Sequence, residues 1–375
     1  MEIMKQERKT LERYLPGLDE ELVKKPLLEL ESPGSIGIRL FREAGGPALL
    51  LPSDCAGLGA TALDALHIQR AIGSRSPSLA VATAMHHFTI VSLMEVAASD
   101  SSLGTILLEA IARQRLLVAS GFAEGQGGRG TLSPTMKAER AEGGWTVSGS
   151  KKPCSLSWSM DILTASVTLP SNLHGGTEVG IALIPAKAEG IERRKFWNNW
   201  ILAGAESDEV ILQDVFVSEE FMVNIGDAST LESSQIIGFL WFELLIAASY
   251  LGAATALAER VIVAKRGGSS DRALLGIELE GAMSALVGLA LTMMSGQRDQ
   301  NMLARALFAR YAVEQAVVRA SASAVELLGG MAFIQNSEIG YLFAASRAAA
   351  FHPPSRTNMS DFLADYLATG SLRIW

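Results

Sequence analysis

Residues 120–130 read SGFAEGQGGRG, and the block they open runs through AER at 138–140 to GGWTVSGSKKPCSLS at 143–157. The order is an apolar strand, an acidic turn crowded with glycine, then a strand–turn–strand that ends in small hydroxyl residues. Gly125, Gly127, Gly128 and Gly130 lack the side chains that would keep backbone N–H groups away from a bound polyanion. Gly143–Gly144, followed by the alternating WTVSGSK, predicts a hairpin. Spacing alone leaves two readings open: a β-rich module that contacts a phosphate-like group or cofactor, and glycines that only make turns.

On either side the character changes. Residues 1–117 read as helical, with apolar residues at helical spacing in ALDALHIQRAIG and SLGTILLEAIARQRLL. Residues 118–220 read as an antiparallel β module. Residues 221–375 return to alanine- and leucine-rich helices at 232–265, 272–296, 299–329 and 336–350. The expected fold is mainly α with a central β domain: an N-terminal helical domain, a middle antiparallel barrel or sandwich, and a C-terminal four-helix bundle. That order argues against a Rossmann fold, which alternates strand with helix.

With 375 residues, 49% of them hydrophobic and 19% charged, the chain can bury a large core. A net charge of −8 and a pI near 5.3 argue against binding nucleic acid or an anionic membrane. Two cysteines, Cys55 and Cys154, with no CxxC, suggest a reducing compartment. The charged start MEIMKQERKT has no signal-peptide core, so a cytoplasmic location is expected. The five histidines show no metal-ligand spacing, and adjacent His86 and His87 are expected to point apart on a helix. Ile236–Ala258 carries a single charge, Glu243, and is long enough to span a bilayer. Its place in mid-chain and its continuation into AERVIVAKR favour a buried bundle helix.

The glycine block resembles the middle domain of the acyl-CoA dehydrogenase superfamily. AEGQGGRG at 123–130 takes the place of the family's Thr-Glu-Pro-Gly-x-Gly-Ser, and SGSKKPCS at 148–155 takes that of its Asn-Gly-x-Lys turn. LPSDCAGLGATALDAL at 51–66, VILQDVFVSEE at 210–220 and ELLGGMAFIQNSEIGYLFAASR at 326–347 extend the likeness over nearly the whole chain. It implies FAD between the β domain and the bundle. The implied contacts are Phe122 and Ala123 at the flavin ring, Gly128 and Arg129 at the pyrophosphate, Ser155 near N5, and Ser355 in the C-terminal loop. Arg266, Glu326, Gly329 and Gly330 would reach the cofactor of a neighbouring subunit, in a homo-oligomer built as a dimer of dimers. Pro153 stands where a tryptophan shields the flavin in most members.

The usual catalytic glutamate is missing. FAASRAAAFHPPSRTNM at 343–359 puts Pro353 in its place, with Pro354 and Ser355 after it. Some members carry the base on the helix opposite the flavin, and the register from Gly252 sets Glu243 within one residue of that slot. Leu240, Ala247, Tyr250 and Ala254 share its helical face. The resemblance therefore implies oxidase-type α,β-dehydrogenation of a small acyl thioester, with Glu243 as general base and flavin N5 as hydride acceptor. A prolyl or aminoacyl group on an acyl or peptidyl carrier protein is the expected substrate, with O₂ reoxidising the flavin. Trp241, Phe242 and Tyr250 would shape a small pocket, and Arg193, Arg194 and Lys195 would dock the carrier. The other readings are a glutamate merely paired with an arginine, a flavin monooxygenase of the same fold, and a degenerate scaffold without flavin. Asp361 and His352 are the next polar candidates near the C-terminal loop.

Overall fold

The computed structural model describes residues 2–99, 103–125, 134–170, 177–227 and 233–372. Seven helices come first: α1 Lys5–Tyr14, α2 Leu18–Val23, α3 Leu27–Leu30, α4 Gly37–Glu43, α5 Ala62–Arg75, α6 Pro77–Ser99 and α7 Leu103–Gln114. A capping box starts α5. Asp64 N–H donates to Thr61 Oγ1 at 3.1 Å, and Thr61 N–H donates to the Asp64 carboxylate at 3.2 Å. Pro77 opens α6, where its missing N–H costs nothing.

The middle region folds into two four-stranded sheets. One has the order β1 Val118–Gly121, β4 Ile162–Pro170, β5 Thr177–Pro185 and β8 Met222–Asp227. The other has the order β2 Ala138–Ala141, β3 Gly144–Cys154, β7 Asp208–Ser218 and β6 Ile191–Arg194. The Gly143–Gly144 hairpin forms as expected: β2 and β3 pair antiparallel, and Gly143 sits at φ 76°. The all-antiparallel expectation fails at one pair. β1 runs parallel to β4, because β2 and β3 lie in the other sheet and the chain crosses over to return.

The bundle comprises α8 Ser233–Val263, α9 Ser269–Met294, α10 Gln300–Leu328, the short α11 Gly330–Gln335, α12 Ser337–Arg347 and α13 Arg356–Thr369. Sequence periodicity did not reveal α13, although Ser355 caps its start and Gly370 closes it in the left-handed conformation. By length and composition, segments of α6, α8 and α9 could each cross a membrane, but 89% of the most apolar window of α8 is buried within this fold. Helices α5, α6, α9, α10 and α12 surround α8, which is why it is apolar all round. Its crossing with α5 runs over two glycines. A Cβ at Gly252 would meet the Arg70 carbonyl oxygen at 2.3 Å, and one at Gly73 would meet that of Ser249 at 2.3 Å.

Candidate active site

The site forms where the end of β1, the end of β3 and the first turns of α8 converge on α6. Lys152 N–H donates to the Ala123 carbonyl at 2.8 Å and ties the two strand ends together. Glu124 anchors the turn that follows. Its carboxylate accepts from the N–H groups of Thr135 and Met136, from Thr135 Oγ1, and from Lys151 Nζ at 2.8 Å. Burial opposes ionisation, but the hydrogen bonds from Lys151 and Thr135 hold the Glu124 carboxyl down to about 2.

Between these strands and the helices lies a cavity of about 170 Å³. Met85, Phe88, Phe239, Phe242, Ile181 and Trp197 form much of its wall. Ser155 and Ser207 supply hydroxyls, paired with each other at 2.9 Å, and the Phe122–Ala123 backbone edges the cavity. Pro353 lies at the rim, where the family resemblance sets the missing base, and His352 lies beside it. No Asp, Glu, Lys or Arg lines the cavity among the described residues.

Glu243 does not line this cavity. Its side chain is fully buried and makes a 2.7 Å ion pair with Arg310 of α10, whose side chain is only 4% exposed. Burial raises the Glu243 carboxyl and the adjacent Arg310 pulls it back down, with burial the larger effect. Among the described residues, Glu243 Oε1 and the Tyr250 hydroxyl have no hydrogen-bond partner. Arg310 also donates to the carbonyls of His352, at 2.6 Å, and Pro353, at 3.5 Å, while Tyr311 donates to that of Pro354 at 2.8 Å. The pair therefore holds the His-Pro-Pro segment against the cavity. The sequence reading missed most of the wall, Met85, Phe88, Phe239, Ile181 and Trp197, together with Ser207 and the holding residues Arg310 and Tyr311. Arg310 had a signal: like Glu243, it is a charge on the apolar stripe of its helix, with Leu303, Leu307, Val313 and Val317.

The other expected site residues divide into groups. Phe122, Ala123 and Ser155 line the cavity, whereas Gly128 and Arg129 lie outside the described residues. Ser355 caps α13 through Asn358 N–H. Tyr250 lies deeper along α8, against a smaller cavity that also touches Ala247 and Arg310, and Trp241 is half-buried off the lining. Arg266 and Glu326 are exposed, and Gly329 and Gly330 link α10 to α11. Asp361 is exposed on α13. In the basic triplet, Arg193 is engaged with the carbonyls of Ser157 and Ala186, Arg194 with Glu192, and Lys195 with Asp208. His86 and His87 do not point apart. Both are buried beside Phe41 with ring centroids 5.3 Å from each other. His86 accepts the Val118 N–H at Nδ1, 3.0 Å away, and its Nε2 faces the Pro47 carbonyl at 3.2 Å; burial holds it down to about 4.

The lining suits the ring system of a flavin: apolar walls for its faces, with hydroxyls and peptide groups for its polar edge. Among the described residues it offers no cation for a phosphate. Solved structures share the fold over nearly the whole chain. They include nitrososynthase from Micromonospora carbonacea var. africana (TM-score 0.82, 17% identity, covering 99% of this chain and 98% of that one). The FMN-bound TdsC from Paenibacillus sp. A11-2 follows at TM-score 0.79 (15% identity, 99% and 98%). The prolyl acyl carrier protein oxidase AnaB matches at TM-score 0.81 (17% identity, 96% and 98%). The class is that of acyl-CoA dehydrogenase-like oxidoreductases. By sequence, the chain is 44% identical over 372 residues to isobutylamine N-hydroxylase of Streptomyces viridifaciens, spanning 98% of each protein. It belongs to the acyl-CoA dehydrogenase-like flavoenzyme family. No family model matches the chain.

Proposed function

We propose that the protein N-hydroxylates a small aliphatic primary amine, using reduced flavin and O₂. The observation that carries this reading is the uncharged cavity: His352 is the one titratable side chain on the described lining. Abstraction of an α-proton needs a base facing the substrate: Glu243 would have to leave Arg310 to serve, and burial and Arg310 hold His352 down to about 3, too weak for the task. An amine, by contrast, is nucleophilic only when neutral. Burying an unpaired ammonium in such a lining costs several kcal/mol, so the site favours the neutral form. The 44% identity to an amine N-hydroxylase points the same way.

Overall, amine, O₂, two electrons and two protons give hydroxylamine and water. When bound, reduced flavin supplies the two electrons. Ser155, Ser207 and the Phe122–Ala123 backbone hold the polar edge of its ring. Phe88, Phe239 and Phe242 exclude water, and the cavity's size limits the alkyl group. Gly128 and Arg129 are proposed to take the phosphate. A homo-oligomer belongs to the same reading. Leu274 and Ile277 of α9 and Met331 and Ile334 of α11 are 60–75% exposed, apolar groups on two helices that a second copy would cover. Arg266, Glu326, Gly329 and Gly330 are then available for contacts across subunits.

To test the reading, chemically reduced flavin, ¹⁸O₂ and isobutylamine are mixed with the protein. The labelled hydroxylamine is the expected product by mass spectrometry. An opposing arm adds a prolyl carrier-protein thioester to the oxidised, flavin-loaded protein without O₂. Bleaching there, with no hydroxylamine in the first arm, would establish dehydrogenation instead.

A further inference from the structure

His352 occupies an unusual position. Its carbonyl is clamped by Arg310 Nη2, and its ring packs beside Tyr250, with centroids 5.5 Å apart, and Phe242 at 6.5 Å. Among the described residues nothing hydrogen-bonds to the ring, although the residue lines the cavity. The charged or titratable groups around it are Glu243 and Tyr250 on α8 and Arg310, Tyr311 and Glu314 on α10. Glu243 pairs with Arg310 through Oε2, and Tyr311 donates to the Pro354 carbonyl; neither Glu243 nor Glu314 lines the cavity. The imidazole is thus the one titratable acceptor on the described lining of a largely apolar cavity. Burial first, and Arg310 second, hold it down to about 3, so it stays neutral at physiological pH.

We infer that His352 is the specificity residue for the amine: its unprotonated ring nitrogen accepts a substrate N–H, which admits the neutral amine and leaves the nitrogen lone pair free to react. This rests on the amine N-hydroxylation reading. A cation offered to the same spot would be repelled by the nearby Arg310 and would find no carboxylate on the described lining. His352 does not deprotonate the ammonium, since its own basicity is far too low. The proton is left in solvent before the amine binds.

The consequence is a pH signature. An alkylammonium ionises near 10.4, so the neutral fraction grows about tenfold per pH unit from 6.5 to 8.5. The apparent Kd of isobutylamine for the flavin-loaded enzyme is therefore expected to fall about tenfold per unit, while that of isobutanol, the neutral isostere, stays flat. In His352→Phe, which keeps an aromatic ring without an acceptor, the amine is expected to bind about tenfold more weakly. Isobutanol, whose O–H can donate to the same nitrogen, should weaken alike, whereas 2-methylbutane, which has no donor, should bind unchanged and so reports that the variant is folded. His352→Gln retains an acceptor and should fall in between. A pH-independent amine Kd, or a His352→Phe variant that binds the amine like the wild type, overturns the inference even if hydroxylamine forms. Failure of the wild type to make hydroxylamine instead overturns the functional reading, and this inference with it.

Discussion

Replacing Glu243 with Gln separates a structural ion pair from a catalytic base. The Glu243 side chain is fully buried and that of Arg310 is 4% exposed, with 2.7 Å between them. Removing one partner of such a pair costs about 3–5 kcal/mol, because the other charge is left buried and uncompensated. Here Arg310 keeps two carbonyl acceptors, on His352 and Pro353, so the lower end, about 3 kcal/mol, is expected. The converse change, Arg310→Met, should cost less, about 2 kcal/mol, because a stranded carboxyl can take up a proton. The sign follows from the raised Glu243 carboxyl. In Arg310→Met that group stabilises the fold fully below its unfolded value, near 4.3, and the benefit is lost as pH rises through the folded value. The double variant Glu243→Leu/Arg310→Met removes both charges and should recover most of the loss, ending about 1 kcal/mol below wild type and above either single variant. Urea unfolding followed by tryptophan fluorescence measures these differences. Amine hydroxylation should stay low in the double variant, because the His352–Pro354 segment has lost its clamp. A Glu243→Gln protein within about 1 kcal/mol of wild type, or a double variant no more stable than the singles, would refute the reasoning.

Other outcomes follow from the same geometry. Ser155→Ala removes one edge hydroxyl and leaves Ser207 without its partner, so flavin should bind about tenfold more weakly in a fluorescence titration. Phe242→Ala enlarges the cavity, and kcat/KM should shift by about tenfold towards amines one or two carbons longer. Glu124, held down to about 2 with its side chain 10% exposed, stabilises the fold above pH 4.3 and loses that contribution as pH falls towards 2. Glu124→Gln should flatten this part of the acid-unfolding curve, by about 3 kcal/mol at most. Gly252→Ala drives a methyl into the backbone of α5 and should cost about 3 kcal/mol or prevent folding, visible as a lowered melting temperature.

The order of elements was legible in the sequence because it depends on local periodicity. The α8 apolar run, the Gly143 hairpin and the long bundle helices are properties of short windows, and the glycine block at 120–130 carried the family likeness. Glu243 was also legible as an anomaly, being a lone charge in an apolar helix. Its orientation was not. Whether it faces the cavity or Arg310 depends on how α8 is rotated against α10, and that rotation is fixed by packing on five neighbouring helices, including the Gly73–Gly252 crossing with α5. The parallel β1–β4 pair and the clamp on His352 have the same origin. They join residues more than forty positions apart, and side-chain type alone does not say which distant group will meet which.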